Sequence, residues 1–333
     1  MNSTVLSVRN LSVSLQTELG QVRVVDRLSF SLHSGEILGL VGESGCGKSI
    51  TAAALMGLVP SPAGMVKADQ IMLGDKNLAQ LDEAGLRRVR GSEISMIFQE
   101  PLTALDPVFS IGSQLSAVIR RHCGESKRQA RRSSADMLER VGMADVHRIM
   151  QSYPHQLSGG MRQRVMIAMA MACRPRVLIA DEPTTALDVT TQAQVLEQLS
   201  ELGQSFGTAI LLITHDLGVV AQACDRALIM YCGRIVEEAP VEALFTAPTH
   251  PYTAGLLAAV PRISSDGVQR VRAIPGLAPQ PWALPDGCHF ADRCARADSQ
   301  CRTLTPQMRA VNGPNNVHLH ACHHPLSSPS DAH

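Results

Sequence analysis

The feature that most constrains this 333-residue chain is a glycine-rich segment near its N-terminus. An apolar run, Ile37 to Val41, precedes Gly42-Glu43-Ser44-Gly45-Cys46-Gly47-Lys48-Ser49, and an alanine-rich stretch follows to Leu58. This order of strand, G-x-x-x-x-G-K-S loop and helix is typical of a phosphate-binding loop. Glycines let successive backbone N–H groups point at phosphate oxygens, and the helix adds its positive N-terminus. The segment predicts a nucleoside triphosphate site; the alternative is a glycine-rich turn before an ordinary helix.

Two side chains of this loop have predicted roles. Lys48 is expected to reach the β- and γ-phosphates, and the Ser49 hydroxyl is expected to bind Mg²⁺. The pattern indicates the nucleotide and leaves open what its hydrolysis drives.

Short apolar strands alternate with longer helical stretches, which is typical of an α/β fold with a mainly parallel sheet. The strands are predicted at Ile37 to Val41, Ile94 to Phe98, Val177 to Ala180, Ile210 to Thr214 and Ala227 to Tyr231. Residues of about 110 to 173 have helical patterns without strands, so a helical subdomain of about 100–175 is predicted within the α/β unit.

The composition changes after about Phe245, where prolines and cysteines become frequent and the periodic pattern fades. We therefore predict a first domain over residues 1–245 and a second over residues 246–333. The last residues, Ser327 to His333, are predicted to be a disordered tail.

Charge and hydropathy exclude several classes of protein. The 30 Lys and Arg residues balance 30 Asp and Glu residues, which argues against a nucleic-acid partner. The longest apolar run, Val165 to Cys173, is too short to span a bilayer, which takes about 18 residues. Because Met1 to Asn10 lacks a secretory signal, we expect a cytoplasmic chain whose cysteines are reduced.

Two carboxylates follow a buried strand in the middle of the chain. The run Val177 to Ala180 leads into Asp181-Glu182-Pro183, at the end of a strand where α/β sheets bind ligands. Asp181 fits a role in holding Mg²⁺, and Glu182 fits a general base for the attacking water. The alternative is a helix cap followed by proline at the first turn. His215 ends another strand and is predicted to contact the γ-phosphate.

A second glycine-rich helix start lies just before the acidic strand, at Leu157-Ser158-Gly159-Gly160-Met161-Arg162-Gln163-Arg164. A serine hydroxyl and free N–H groups at a helix N-terminus make a second anion-binding site. The phosphate loop carries a lysine and this second anion-binding site does not, which suggests that the nucleotide is sandwiched between two copies of the chain.

Together these motifs resemble the ATP-binding subunit of an ATP-binding-cassette (ABC) transporter. The resemblance covers about residues 5 to 245 and follows the family's order: the phosphate loop, Gln99 of the Q-loop, the signature Leu157 to Gln163, Asp181 and Glu182, Ala186-Leu187-Asp188 of the D-loop, and His215 of the switch strand. It implies a RecA-like P-loop NTPase fold with a helical subdomain, and ATP and Mg²⁺ as cofactors.

The resemblance also implies residue roles. The implied nucleotide-binding residues are Gly42, Glu43, Ser44, Gly45, Cys46, Gly47, Lys48, Ser49, Ile50 and Asp181. The implied Mg²⁺-binding residues are Ser49, Gln99 and Asp181. Glu182, His215 and Gln99 are the implied catalytic residues. Across the dimer, the opposite subunit would contribute Ser158, Gly159, Gly160 and Asp188.

One departure from the family concerns the base. Many members stack adenine on an aromatic residue upstream of the loop, but Leu15 to Arg27 contains none. Val22 or Arg23 would then contact the adenine.

A narrower resemblance comes from the C-terminal segment. His250-Pro251-Tyr252-Thr253, Pro275-Gly276 and Gly287-Cys288 are similar to the C-terminal extension of dipeptide and oligopeptide importer ATPases. This implies peptide or peptide-like cargo, with nickel or another small solute as the alternative. The implied partners are two transmembrane permease subunits, a second ATPase subunit (a copy or a related chain) and, indirectly, a solute-binding protein. The implied location is peripheral, at the cytoplasmic face of the inner membrane.

Cys288, Cys294, Cys301 and Cys322 give the spacing C-x₅-C-x₆-C-x₂₀-C in the proline-rich segment. Four thiolates where apolar residues are few suggest a metal that organises the segment. The spacings are wider than those usual for zinc, which favours an iron-sulfur cluster, and the importer resemblance suggests 4Fe-4S. The alternatives are Zn²⁺, four free thiols, or ligands from the nearby His289, His318, His320, His323 and His324.

Two other functions compete with an importer ATPase. Soluble cassette ATPases that act on DNA, RNA or ribosomes usually have two cassettes, a coiled-coil insertion or basic surfaces, and this chain has none of these signals. Exporter ATPases are usually fused to a transmembrane segment. The basic run of Lys127, Arg128, Arg131 and Arg132 fits a solvated helix face better than a binding site.

Overall fold

A computed structural model describes residues 3–99, 104–185, 187–260, 263–264, 267–268, 273–311 and 317–327. The predicted tail from residue 328 onward lies outside the described residues, as do residues 100–103 and Ala186. Within the described residues, no helix has both the length and the apolar character needed to cross a membrane.

Two sheets carry most of the strands. The strands are β1 (Thr4–Thr17), β2 (Gly20–His33), β3 (Ile37–Val41), β4 (Gly64–Lys67), β5 (Gln70–Leu73), β6 (Lys76–Asn77), β7 (Ile94–Ile97), β8 (Val177–Asp181), β9 (Ala209–Thr214), β10 (Arg226–Tyr231), β11 (Arg234–Pro240), β12 (Ile263–Ser264), β13 (Gly267–Val268), β14 (Arg309–Ala310) and β15 (Leu319–His320). The central sheet has the order β14-β15-β11-β10-β3-β9-β8-β7, and its strands β10, β3, β9, β8 and β7 are parallel.

The five strands predicted from the sequence are these parallel strands, each within one residue at either end. Every residue of β3, β8 and β9 is buried, which is why they appear as continuous apolar runs. The sequence interpretation missed the antiparallel sheet, in which β1 pairs with β2, β4 and β5. These strands are half-exposed and interrupted by irregular register, so their alternation is weaker.

The helices are α1 (Lys48–Leu55), α2 (Glu83–Val89), α3 (Ile111–Cys123), α4 (Lys127–Arg140), α5 (Val146–Gln151), α6 (Gly159–Met171), α7 (Val189–Phe206), α8 (Leu217–Ala223), α9 (Val241–Thr246), α10 (Pro251–Ala258) and α11 (Ser299–Thr303). Helices α3 to α6 form the predicted helical insertion between β7 and β8. Their apolar faces pack into a cluster that continues under the central sheet. The basic residues of α4 are exposed, as a solvated face requires.

The C-terminal segment joins the central sheet. Strand β15 pairs with β11, and β14 pairs with β15, so both lengthen the sheet at its antiparallel edge. Helix α9 crosses residue 245, where the domain boundary is predicted. The division into two domains stays a prediction, and the second segment is hydrogen-bonded to the first.

A buried carboxylate fixes this junction. Glu237 of β11 is fully buried and accepts hydrogen bonds from the backbone N–H groups of Thr249 (2.6 Å) and His250 (2.9 Å) and from His318 Nε2 (2.7 Å). Burial opposes ionisation, but these hydrogen bonds, led by His318, hold the pKa of Glu237 below its usual value. Its stabilisation is therefore present above the unfolded-state pKa and is lost as the pH falls through the lower folded-state pKa.

We predict that Glu237→Ala destabilises the protein by about 3–5 kcal/mol, because it leaves buried donors without their acceptor. Urea unfolding measures the change. Glu242→Ala, which removes an exposed carboxylate of α9, is the matched control and should change the free energy of unfolding by less than about 0.5 kcal/mol. Equal unfolding midpoints for the two variants would contradict the anchoring role of Glu237.

Candidate nucleotide-hydrolysis site

The phosphate loop connects the end of β3 to the start of α1. Gly45 and Gly47 have φ values of +79° and +110°, a region that side chains rarely adopt. A Cβ atom on Gly47 would also lie 2.8 Å from the carbonyl oxygen of Val24. The turn that aims backbone N–H groups inward therefore requires glycine at both positions.

Lys48 lies inside this loop rather than in solvent. It is 5% exposed, and its Nζ donates hydrogen bonds to the carbonyl oxygens of Gly42 (2.7 Å) and Glu43 (3.0 Å). The loop thus holds the ammonium group at its centre, and the contact of Lys48 with the β- and γ-phosphates stays a prediction.

Ser49 and Asp181 meet across the loop and the end of β8. Ser49 Oγ donates to Asp181 Oδ1 at 3.2 Å. Burial raises the pKa of Asp181, with Glu182 adding to the shift and Ser49 and Lys48 opposing it. A hydroxyl and a carboxylate at this separation are hard oxygen donors that fit Mg²⁺.

Glu182 is the meeting point of the predicted catalytic residues. Its carboxylate accepts hydrogen bonds from Gln99 Nε2 (3.1 Å) and Thr185 Oγ1 (2.9 Å) and lies 3.0 Å from His215 Nδ1. Burial opposes ionisation, but His215 and Thr185 outweigh it and hold the pKa of Glu182 below its usual range. Glu182 is therefore an ionised carboxylate that can accept a proton.

The backbone at Glu182 has a φ of +47°, which is unusual for a residue with a side chain. Such a conformation persists where the surrounding structure holds the residue in place, often at functional sites. Thr185 was not predicted from the sequence as part of this site. Its position three residues after Glu182, in a turn, is the signal that could have found it.

The signature residues lie at the N-terminus of α6, apart from the phosphate loop. Ser158 caps this helix and accepts from Met161 N–H at 3.3 Å, and Ser158 and Gly159 are exposed. Among described residues, no hydrogen bond or ion pair joins Ser158 or Gly159 to the phosphate loop. Asp188 caps α7 and accepts from Thr191 N–H at 3.0 Å, and it too is exposed. The chain presents these groups outward.

The structure separates the two candidates for the adenine contact. Arg23 lines a cavity beside the phosphate loop, whereas Val22 is buried in the core and does not. The remaining lining comes from two distant parts of the chain: Val24, Glu43, Ser44, Gly45, Cys46, Tyr231, Cys232 and Gly233 of the core, and Ala278, Pro279, Gln280, Pro281 and Leu284 of the C-terminal segment.

The four C-terminal cysteines converge on a single small cavity, which Cys288, Cys294, Cys301 and Cys322 all line. Burial raises the pKa of each thiol, that of Cys322 to about 12. Of the five nearby histidines, His323 and His324 line this cavity, while His318 binds Glu237 and His289 contacts the Cys232 carbonyl.

A set of ligand atoms close enough for one ion also occurs here. Among described residues, the side chains whose ligand atoms all lie within 4.8 Å of one another are Asp298, Cys301 and His324. No three of the four thiols meet that spacing. The spacing of the cysteines in the sequence did not indicate that Asp298 belongs to this set of possible ligands.

The phosphate loop, the acidic strand end and the glycine-rich start of α6 define a P-loop nucleoside triphosphatase of the cassette type. Residues 25–185 match the family "ABC transporter", and residues 236–301 match "Oligopeptide/dipeptide transporter, C-terminal region".

Characterised relatives agree over nearly the whole chain. The "Oligopeptide transport ATP-binding protein AppD" of Bacillus subtilis (strain 168) is 50% identical over 306 residues, which cover 92% of this chain and 93% of that protein. The "Dipeptide transport ATP-binding protein DppD" of Escherichia coli (strain K12) is 45% identical over 321 residues, which cover 96% and 97%. The chain belongs to the family of ABC transporter ATP-binding proteins and is an ATPase of that family.

A solved structure shows the same fold. The ATP-binding cassette MJ0796, in a dimeric post-hydrolysis state bound to ADP and Pi, aligns with a TM-score of 0.64 at 23% identity. The alignment covers 98% of that cassette and 71% of this chain. The remaining part of this chain lies outside that alignment.

We predict that Glu182→Gln retains ATP binding but lowers the hydrolysis rate by about 10²–10⁴-fold, because the amide keeps the shape of the side chain without its basicity. ATP titration and phosphate release measure the two effects, and the variant should accumulate as an ATP-bound dimer. Turnover equal to that of the wild type in the assembled transporter would remove Glu182 from this role.

Lys48→Ala is expected to weaken ATP binding by about tenfold or more as well as to reduce turnover, because the lost charge faces phosphate in both ground and transition states. The measurement is an equilibrium titration with Mg-ATP. Arg302→Met, which removes an exposed cation distant in sequence from the loop, is the control. Unchanged affinity in Lys48→Ala would contradict the assignment of the phosphate loop.

Proposed function

We propose that this chain is the energy-coupling ATPase of an importer for dipeptides, oligopeptides or peptide-like solutes. The convergence of Gln99, Thr185 and His215 on Glu182 carries the hydrolytic part of the proposal. The C-terminal segment, which matches the oligopeptide and dipeptide transporter region and occurs in a chain with peptide-transport relatives, supports the cargo.

In the proposed reaction the backbone N–H groups of the loop and Lys48 bind the phosphates of ATP. Glu182 orients a water molecule and takes its proton as the water oxygen attacks the γ-phosphorus; the bond to the β,γ-bridging oxygen breaks, and ADP and phosphate leave. His215 and Gln99 position the carboxylate and the water. Ser49 and Asp181, with Gln99, would hold Mg²⁺, which neutralises phosphate charge.

The second half of each site is proposed to come from another cassette. The exposed N-terminus of α6, with Ser158, Gly159 and Gly160, offers N–H groups to the γ-phosphate on the opposite subunit. Asp188, exposed at the start of α7, would lie at the dimer seam. Two ATP molecules would thus be enclosed between this chain and a second copy or a related chain.

Coupling to two permease subunits is proposed to run through the segment after Gln99. Large apolar side chains on either side of Gln99 are exposed: Phe98, directly before it, is 44% accessible, and Val108 and Phe109, after it, are 70% and 54% accessible. Exposed apolar groups of this kind suit a protein interface. The chain would then lie peripherally at the cytoplasmic face of the inner membrane, with a solute-binding protein on the other side.

Reconstitution tests the cargo. The chain is assembled in vesicles with its permeases and second ATPase, and uptake of labelled dipeptides and oligopeptides is followed with wild-type or Glu182→Gln protein. We expect ATP-dependent peptide uptake that Glu182→Gln abolishes. Uptake of nickel instead of peptides would show that the cargo is nickel and that the proposed peptide cargo is wrong. ATP hydrolysis without any association with permeases would favour a soluble cassette ATPase.

We propose a 4Fe-4S cluster at the four cysteines as a second feature of the function. In a tetrahedral zinc site with Zn–S bonds of about 2.3 Å, the sulfurs lie about 3.8 Å apart. The four thiols line one cavity, yet no three of them are within 4.8 Å of one another in the described residues. Four cysteine thiols on one cavity are the ligand set of an iron-sulfur cluster, which supports the proposal. Its proposed role is to organise the segment.

Protein purified without oxygen is expected to be brown and to contain about four iron atoms per chain. Cys294→Ser with Cys301→Ser should lose the iron and loosen the C-terminal segment, while ATP hydrolysis persists at least in part. Cys123→Ser, at an exposed thiol of α3, is the control and should keep the iron. Zinc in a colourless protein would favour Asp298, Cys301 and His324 as ligands. If the protein contains neither iron nor zinc, the four cysteines are free thiols.

A further inference from the structure

The phosphate loop contains an acidic side chain, that of Glu43, whose negative charge does not contribute to phosphate binding. Glu43 follows the first glycine of the loop, and its carboxylate is 29% exposed. A loop that binds a polyanion gains from positive potential, so an unpaired carboxylate within it would oppose ATP binding. The charge of Glu43 therefore needs compensation.

The C-terminal segment supplies this compensation. Arg293 Nη1 donates to Glu43 Oε2 at 2.9 Å and to Oε1 at 3.1 Å. The backbone N–H of the same glutamate donates to Tyr252 Oη at 3.1 Å, and Tyr252 is fully buried. Side chain and backbone of one loop residue are thus both held by residues that lie more than two hundred positions later in the chain.

Arg293 is fixed by its own surroundings. Its side chain is 7% exposed, and its Nε donates to the Pro275 carbonyl at 3.1 Å. The guanidinium also lies over the rings of Tyr231 (5.8 Å) and Phe290 (6.0 Å). Such contacts pre-organise the guanidinium, so that little side-chain entropy is lost when it pairs with the carboxylate. Arg293 differs in this from an exposed surface cation, which would be screened.

We propose that Arg293 is a positioning residue of the nucleotide site: it neutralises Glu43 and pins the phosphate loop, so that the C-terminal segment sets the affinity of the loop for ATP. The inference rests on the proposed role of residues 42–49 in binding phosphate. It gives the C-terminal segment a function in the nucleotide site that does not depend on a metal at the cysteines.

A double-mutant cycle on Mg-ATP affinity tests the proposal in the full chain. We expect Arg293→Met to raise the dissociation constant roughly three- to tenfold, because it leaves the Glu43 charge uncompensated. In a Glu43→Gln background, the same change should have little further effect, since no charge remains to be neutralised. A merely structural role for Arg293 would weaken binding equally in both backgrounds.

The matched control is Arg302→Met, which removes a cation of the same segment whose pair with Asp292 is exposed on both sides. It should bind ATP as the wild type does. Arg293→Lys keeps the charge but not the planar group that lies over Tyr231 and Phe290, and we expect a smaller loss of affinity that Glu43→Gln also suppresses. This variant tests the proposal if Arg293→Met does not fold.

Two results would overturn the proposal: wild-type affinity in a folded Arg293 variant, or a loss of affinity that is undiminished when Glu43 is already glutamine. Lys48→Ala, measured in parallel, separates this inference from the proposed function. If Lys48→Ala also binds ATP normally, residues 42–49 are not the phosphate site. If Lys48→Ala binds weakly and the Arg293 variants bind normally, the site stands and the inference about Arg293 fails.

Discussion

The site depends on the parallel alignment of β3, β9 and β8. In this register Val41 pairs with Thr214, and Asp181 pairs with Ile213, so the strands end at one edge of the sheet. The residues that follow them are the phosphate loop, His215 and Glu182, which are far apart in the chain. All three strands are fully buried, so apolar packing fixes their alignment. This alignment brings the polar groups at the sheet edge together without requiring contacts among those groups.

Two of the polar contacts that join the C-terminal segment to this core differ in their chemistry. At the sheet edge, the buried Glu237 gathers backbone N–H groups and His318 from the segment. At the nucleotide site, Arg293 and Tyr252 hold Glu43 of the loop. Arg293 directly precedes Cys294, so the residue that contacts the loop is adjacent in the chain to one that lines the cysteine cavity. These polar contacts act together with an apolar cluster in which Tyr252, Leu257 and Phe290 of the segment pack against strands β10 and β11.

The residues predicted to hydrolyse ATP and the signature residues lie apart within this chain. Lys48, Asp181 and Glu182 face the loop, while the signature serine and glycines of α6 face solvent. Helix N-termini bind anions through N–H groups that lack partners within the helix. An exposed helix start of this kind is suited to phosphate held on another molecule.

The sequence determined the parallel strands, the helical insertion, the phosphate loop and the acidic strand end, because each is specified by local periodicity or by residue types at short spacing. It did not determine the antiparallel sheet around β1, whose half-exposed strands have weak alternation, or Thr185, which joins Glu182 through a turn. Above all, it could not show that Arg293 meets Glu43 or that Glu237 meets His318. Those pairs join residues 250 and 81 positions apart, and only the tertiary structure brings them into contact.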